Sequence, residues 1–201
     1  MTGFLASSKA PGFMQSHGYG LDLKVPFHRS YWVIPGKFLA GCYPGSKYRD
    51  EADQKLTALL GCGIRHVVNL MEPDERDWNG LPFVPYEDQL ESIAGSMGHT
   101  VTFDRMAIKD TWVRSRKTMC RILDRIDQCI RNQKHVYIHC LGGRGRTGTV
   151  VGCFLARHGM ASGHNLLDRI QELRRNAEDH DFASPESMQQ VELVLSWVEA
   201  E

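Results

Sequence analysis

His139-Cys140-Leu141-Gly142-Gly143-Arg144-Gly145-Arg146-Thr147-Gly148 is the stretch that decides the fold. Before it, His135 to His139 reads as a short buried strand; after it, Thr147 to His158 reads as an apolar helix ended by Gly159. A glycine-rich turn at such a junction can take the dihedral angles that aim backbone N–H groups inward. The helix start adds the positive end of its dipole. Arg146 adds a planar, permanently charged fork suited to two oxygens at once. Cys140, at the strand end, adds a nucleophile, and both the helix terminus and the guanidinium favour its thiolate. These are the needs of a phosphate monoester dianion. The amides of Leu141, Gly142, Gly143, Arg144 and Gly145 and the fork of Arg146 would hold its oxygens, and the sulfur would attack phosphorus. Thr147 is placed to donate a hydrogen bond to that sulfur, and His139 to brace the loop from behind.

The same residues contain a second pattern. Gly143-Arg144-Gly145-Arg146-Thr147-Gly148 matches G-x-G-x-x-G, and Asp168 follows Gly148 by 20 residues, as a dinucleotide-binding fingerprint would have it. That reading fails on context. Asp168 falls in a helical pattern formed by Leu166, Leu167, Ile170 and Leu173, whereas the fingerprint acid ends a second strand. No convincing strand follows Gly148.

Outward from the loop, strands and helices alternate. Tyr31 to Ile34 and Phe38 to Ala40 read as two short strands around the turn Pro35-Gly36. Arg49 to Leu60 has helical spacing, and Gly61 and Gly63 stop it. His66 to Leu70 is a β-rich run. Residues 72 to 88, with three prolines and Gly80, read as a loop, followed by a short helix over Glu87 to Met97. Val101 to Ile108 reads as a strand and Val113 to Ile130 as an amphipathic helix. Two more helices are expected, Ser162 to Arg175 and Pro185 to Glu199. The order predicts an α/β fold: a central, mostly parallel sheet flanked by helices, with the phosphate-binding loop between a buried strand and an apolar helix. Residues 1–24 read as an N-terminal arm and 25–201 as a single domain.

The chain has 201 residues, enough for one α/β domain with a substantial core. Lys plus Arg and Asp plus Glu are both 24, so the formal net charge is zero, which argues against a nucleic-acid partner. No apolar window is long enough to suggest a membrane span, and the first twenty residues lack a signal-peptide core. The six cysteines form no CxxC pair and no zinc-like spacing, so neither metal nor cofactor is expected. Their pattern suits a reducing, cytoplasmic setting.

With these residues in view, His139 to Gly148 resembles the signature H-C-x5-R-[ST] of the cysteine-dependent protein-tyrosine phosphatase superfamily, in particular the small atypical dual-specificity phosphatases. Trp32 to Gly41 resembles their N-terminal strand pair, Gly63 to Leu70 their helix-to-strand passage, and Glu186-Ser187-Met188-Gln189-Gln190 their late E-[ST]-x-x-Q segment. The likeness spans roughly residues 30 to 198; residues 72–100 look longer than the family's, and the arm has no counterpart.

A phosphatase also needs a proton donor for the leaving group. Asp104 and Asp110 are the candidates. Asp104 falls within the expected strand, whereas Asp110 lies past its carboxyl end, the edge where ligands gather in α/β sheets and where Cys140 also lies. Ile108-Lys109-Asp110 further resembles the family's I-P-D, with Lys109 in place of proline, so Asp110 is taken as the acid. The resemblance implies a phosphocysteine intermediate and assigns Gln190 to placing the hydrolytic water; a surface helical glutamine is the plainer alternative. The implied substrate is a phosphorylated protein, through phosphotyrosine or with dual specificity. The alternative is a small phosphoester such as an inositol phosphate or a phospholipid, because Arg144, Lys109, Arg114 and Arg116 would suit a highly anionic ligand. A solvated rim is the plain reading of those charges.

Overall fold

The computed structural model describes residues 24–77 and 79–199. The arm expected over 1–24 lies outside them except for Lys24. Five strands form one sheet: β1 (Ser30–Ile34), β2 (Phe38–Gly41), β3 (Ile64–Asn69), β4 (Thr102–Arg105) and β5 (His135–His139), in the spatial order β1-β2-β5-β3-β4. β1 pairs antiparallel with β2; every other pairing is parallel. The helices are α1 (Arg49–Gly61), α2 (Glu87–Ser96), α3 (Arg116–Arg131), α4 (Gly145–Arg157), α5 (Asn165–Arg174) and α6 (Met188–Leu195).

The two-residue period of the strands sorts the core into two layers. Phe38, Ala40, Val68, Val136 and Ile138 face a cluster shared with α3, α4, α5 and α6. Their sequence neighbours Leu39, Val67 and Tyr137 face the other way, into a cluster shared with α1 and α2. β5 lies between two parallel neighbours with helices on both faces, which is why it reads as a nearly continuous apolar run. Its carboxyl end, between those of β2 and β3, is where the chain turns into the Cys140 loop.

Four elements are clearly shorter than their sequence patterns suggest, among them α5, which starts at Asn165 and not at Ser162. Regular pairing of β4 stops at Arg105, although Met106 N and Ile108 N still donate to Asn69 O and Leu70 O, at 2.9 Å each. α3 starts at Arg116, because Ser115 caps it by accepting from Thr118 N and Arg114 is tied back to Ala107 O. α6 starts at Met188 for the same kind of reason: Ser187 and Gln190 form a capping box.

Candidate active site

The phosphate loop is held from outside by its carbonyls. Tyr43 N donates to Leu141 O at 3.0 Å and Arg29 Nη2 to Gly142 O at 2.9 Å. Gly143 takes a φ of +79°, and a Cβ there would lie 2.6 Å from the Gly41 carbonyl carbon and 2.7 Å from Cys42 N. Both facts demand glycine, since backbone cannot yield as a side-chain tip can. In this conformation Gly143 N donates to Cys140 Sγ at 3.2 Å. α4 begins two residues later and is buried from Gly145 to Ala156. Its first amides have no intrahelical acceptor and point toward the loop end of the helix.

Arg146 is 1% exposed and is fixed on three sides. Glu75 accepts from both ends of its fork, at 2.6 Å from Nη1 and 2.7 Å from Nη2. Ile108 O accepts from Nη1 at 3.2 Å, and Asp110 Oδ1 lies 3.1 Å from Nη2. Burial works against the positive charge, but the Glu75 bonds, the Cys140 sulfur and the Asp110 carboxylate outweigh it, so the guanidinium is held even above its usual range. Glu75 carries no sequence signal. It sits in the run Glu72-Pro73-Asp74-Glu75-Arg76-Asp77, where nothing distinguishes one acid from the next; only the need of a buried arginine for a carboxylate points there.

His139 is fully buried behind the loop. Its Nδ1 lies 3.1 Å from Cys140 O, which can only accept, so Nδ1 carries the proton. Nε2 therefore accepts from the Tyr86 hydroxyl at 2.6 Å. Burial pushes the imidazole pKa down to about 3, against the pull of the Cys140 carbonyl, so the ring braces the loop as a neutral group. Tyr86, which completes the brace, lies in the stretch expected as loop and had no motif to mark it.

The two candidate acids part company. Asp104, on β4, bonds Arg125 and lies 3.1 Å from His66 Nε2. Asp110 faces Arg146, and its side chain is 61% exposed. Its loop is anchored to the start of α6: Ser187 Oγ donates to Thr111 O at 2.8 Å and Gln190 Nε2 to Trp112 O at 3.4 Å. Gln190 is fully buried, unlike a surface glutamine, and its Oε1 accepts from Glu186 N and Ser187 N at 3.2 and 3.1 Å. Thr147 departs from expectation: its hydroxyl is directed to Gly41 O at 3.4 Å, not to the Cys140 sulfur. The Thr147 side chain, on the third residue of α4, reaches back to the end of β2. Among the described residues no group of three His, Cys, Asp or Glu side chains converges as a metal site would.

A mostly parallel sheet whose central strand delivers a cysteine into an arginine-closed phosphate loop is the architecture of the cysteine-dependent phosphatases. The chain belongs to the DSP-PTPase phosphatase domains of the Swiss Army Knife protein group (PTP-SAK), whose family model matches residues 28–190. It is 24% identical over 156 residues to the dual specificity protein phosphatase CDC14B of Mus musculus, covering 73% of this chain and 29% of that one. It thus spans well under half of the CDC14 relatives. To cyclin-dependent kinase inhibitor 3 of Homo sapiens it is 25% identical over 162 residues, covering 76% and 73%. Among solved structures, Tk-PTP in its active form superposes with a TM-score of 0.59 at 25% identity, over 83% of this chain and 93% of that one. PTPMT1 in complex with PI(5)P shares the fold, with a TM-score of 0.59 at 17% identity over 83% and 92%.

Proposed function

We propose that the chain hydrolyses phosphate monoesters through a phosphocysteine on Cys140, with phosphoprotein as the substrate, through phosphotyrosine or with dual specificity. The observation that carries this is the pairing of a sulfur that accepts from Gly143 N with a buried fork held by Glu75 at the start of α4. In the first step Cys140 Sγ attacks phosphorus in line. The bond from phosphorus to the ester oxygen breaks, and Asp110 gives that oxygen its proton. In the second step Asp110 takes a proton from water, the resulting hydroxide attacks phosphorus, and the P–S bond breaks to return the thiolate and inorganic phosphate. Arg146 and the amides of residues 141–145 hold the equatorial oxygens in both steps. Glu75 keeps the fork in place, and Asp110, the more exposed of its two carboxylate partners, is the one that turns to the substrate. Gln190 acts by holding the Trp112 end of the Asp110 loop, and Thr147 by fixing α4 to β2. All six cysteines are free, which fits a reducing, cytoplasmic setting.

The cations offered to a polyanionic substrate are engaged by the protein itself. Arg144 pairs with Glu186 and Asp179, Arg114 donates to Ala107 O, Arg116 donates to Ser196 O and stacks on Trp197, and Lys109 lies over Trp112. Two residues after Asp110, exposed Trp112 offers apolar surface to an aryl ring. That supports phosphoprotein over the inositol phosphate or phospholipid alternative. A panel of phosphotyrosine, phosphoserine and phosphothreonine peptides with inositol phosphates and phosphoinositides tests it. The highest kcat/KM is expected on a phosphopeptide; a phosphoinositide preferred by tenfold or more, about 1.4 kcal/mol, would reverse the assignment.

A further inference from the structure

Besides Arg146, the phosphate loop carries one charged side chain, Arg144, at the N-cap of α4. Its Nη2 donates to Glu186, its Nε lies 3.6 Å from Asp179 Oδ2, and its guanidinium carbon lies 4.7 Å from the centre of the Phe182 ring. All three partners come from the segment between α5 and α6, and that segment is rigidly held. Arg174, 1% exposed, donates to Asp179 Oδ1 and Asp179 O at 3.0 Å and to Phe182 O at 2.9 Å. Arg29 closes the arrangement: its Nε lies 3.4 Å from Asp179 Oδ2 while its Nη2 holds Gly142 O. Two carboxylates are therefore fixed beside the phosphate loop, and both face Arg144.

An arginine within a phosphate loop would add a second anion-binding group to the one formed by Arg146. Arg144 is 23% exposed, open enough to meet a ligand, yet its Nη2 donor and its charge are turned to the wall formed by the 175–187 segment. We propose that Glu186 and Asp179 are specificity-determining residues: by pairing with Arg144 they withhold the loop's second positive charge from the substrate. The site is thereby held to esters with a single phosphate and made poor at retaining polyphosphorylated ones. The choice of substrates rests on the phosphatase reading above, but the withheld charge is a property of binding and is measured without turnover.

The test is calorimetric titration of the full chain with inositol hexakisphosphate and with inorganic phosphate at low ionic strength, comparing wild type, Glu186→Gln, Asp179→Asn/Glu186→Gln, Arg144→Ala and Arg144→Ala/Glu186→Gln. Glu186→Gln should tighten hexakisphosphate binding on the order of tenfold, as expected when a charge-assisted pair to phosphate replaces one to carboxylate. Inorganic phosphate affinity should change less than threefold. The gain should be absent when Glu186→Gln is made in the Arg144→Ala background, and it should shrink in about 0.5 M salt as screening shortens. Unchanged hexakisphosphate affinity in Glu186→Gln, with a wild-type melting curve, overturns the proposal, and so does a gain that survives Arg144→Ala. Asp179→Asn/Glu186→Gln should add to the gain if it folds; Glu186, on the surface, decides the matter alone if it does not. Failure of the phosphatase reading would show separately, as a wild-type protein that turns over no ester while these binding differences stand.

Discussion

Arg146 and Glu75 are the pair on which the site turns. The sequence identifies the arginine, because a fork six residues after a cysteine in a glycine-rich turn has few other uses. It is silent on the glutamate, because what selects Glu75 among its acidic neighbours is the path of a loop, which no local periodicity encodes. The pair makes a prediction at this scale. Arg146→Lys keeps the charge and loses the fork, so kcat/KM on an aryl phosphate should fall by about 3 kcal/mol, the scale of losing a preorganised donor. Glu75→Gln keeps the shape but removes the negative charge and one of the two acceptors that grip the fork, so Asp110 is left as the carboxylate facing Arg146. It should lower kcat/KM by at least tenfold, about 1.4 kcal/mol, and also lower the melting temperature, since a buried cation loses its principal counter-charge. Steady-state kinetics with a melt on each variant checks this; a Glu75→Gln enzyme with wild-type kcat/KM would show that the fork does not depend on it. His139 presents the same lesson: its bracing place follows from the strand end, but its partner Tyr86 lies 53 residues away and became visible only in three dimensions.

At the scale of elements, β5 and α4 were legible because one is a buried apolar run and the other a buried apolar helix, each next to glycines that break the pattern. The ends of β4, α3 and α6 were not, because side-chain caps and backbone ties set them: Ser115, Arg114, and the Ser187–Gln190 box. Those ties shape the loop that carries Asp110, since Ser187 and Gln190 hold Thr111 and Trp112. Asp110 and Asp104 are therefore separable by experiment. With a poor leaving group such as an alkyl phosphate, Asp110→Asn should lower kcat by 10²-fold or more, at the low end of what a positioned general acid contributes. With para-nitrophenyl phosphate, whose anion departs with less help, the loss should be several-fold smaller. The pH limb that reports the acid should vanish with it. Asp104→Asn should leave both signatures in place and instead lower stability, because Asp104 joins β4 to His66 and Arg125. The opposite assignment of these signatures would move the acid to Asp104.

For the molecule as a whole, the alternation of strands and helices carried the α/β architecture, and the sheet adds what composition could not: the order β1-β2-β5-β3-β4 puts the cysteine strand in the middle. The loop after β5, the 72–77 run after β3 and the 106–115 loop after β4 therefore open on one edge of the sheet. Cys140, Glu75 and Asp110, 30 or more residues apart in the chain, meet there because parallel strands carry their carboxyl ends to the same side. The balanced net charge hid the local arrangement of arginines and carboxylates around Arg144, since sums over a chain do not locate charges. Catalysis by this site passes through one covalent species, a phosphocysteine on Cys140, and the most direct measurement is to trap it. Wild-type protein mixed with a radiolabelled aryl phosphate and quenched in acid within milliseconds should carry label that maps to the peptide containing Cys140. Cys140→Ser, folded by its melting curve and still binding vanadate, should carry none and turn over nothing. Steady turnover by Cys140→Ser, or label on another residue of the wild-type chain, would contradict the account.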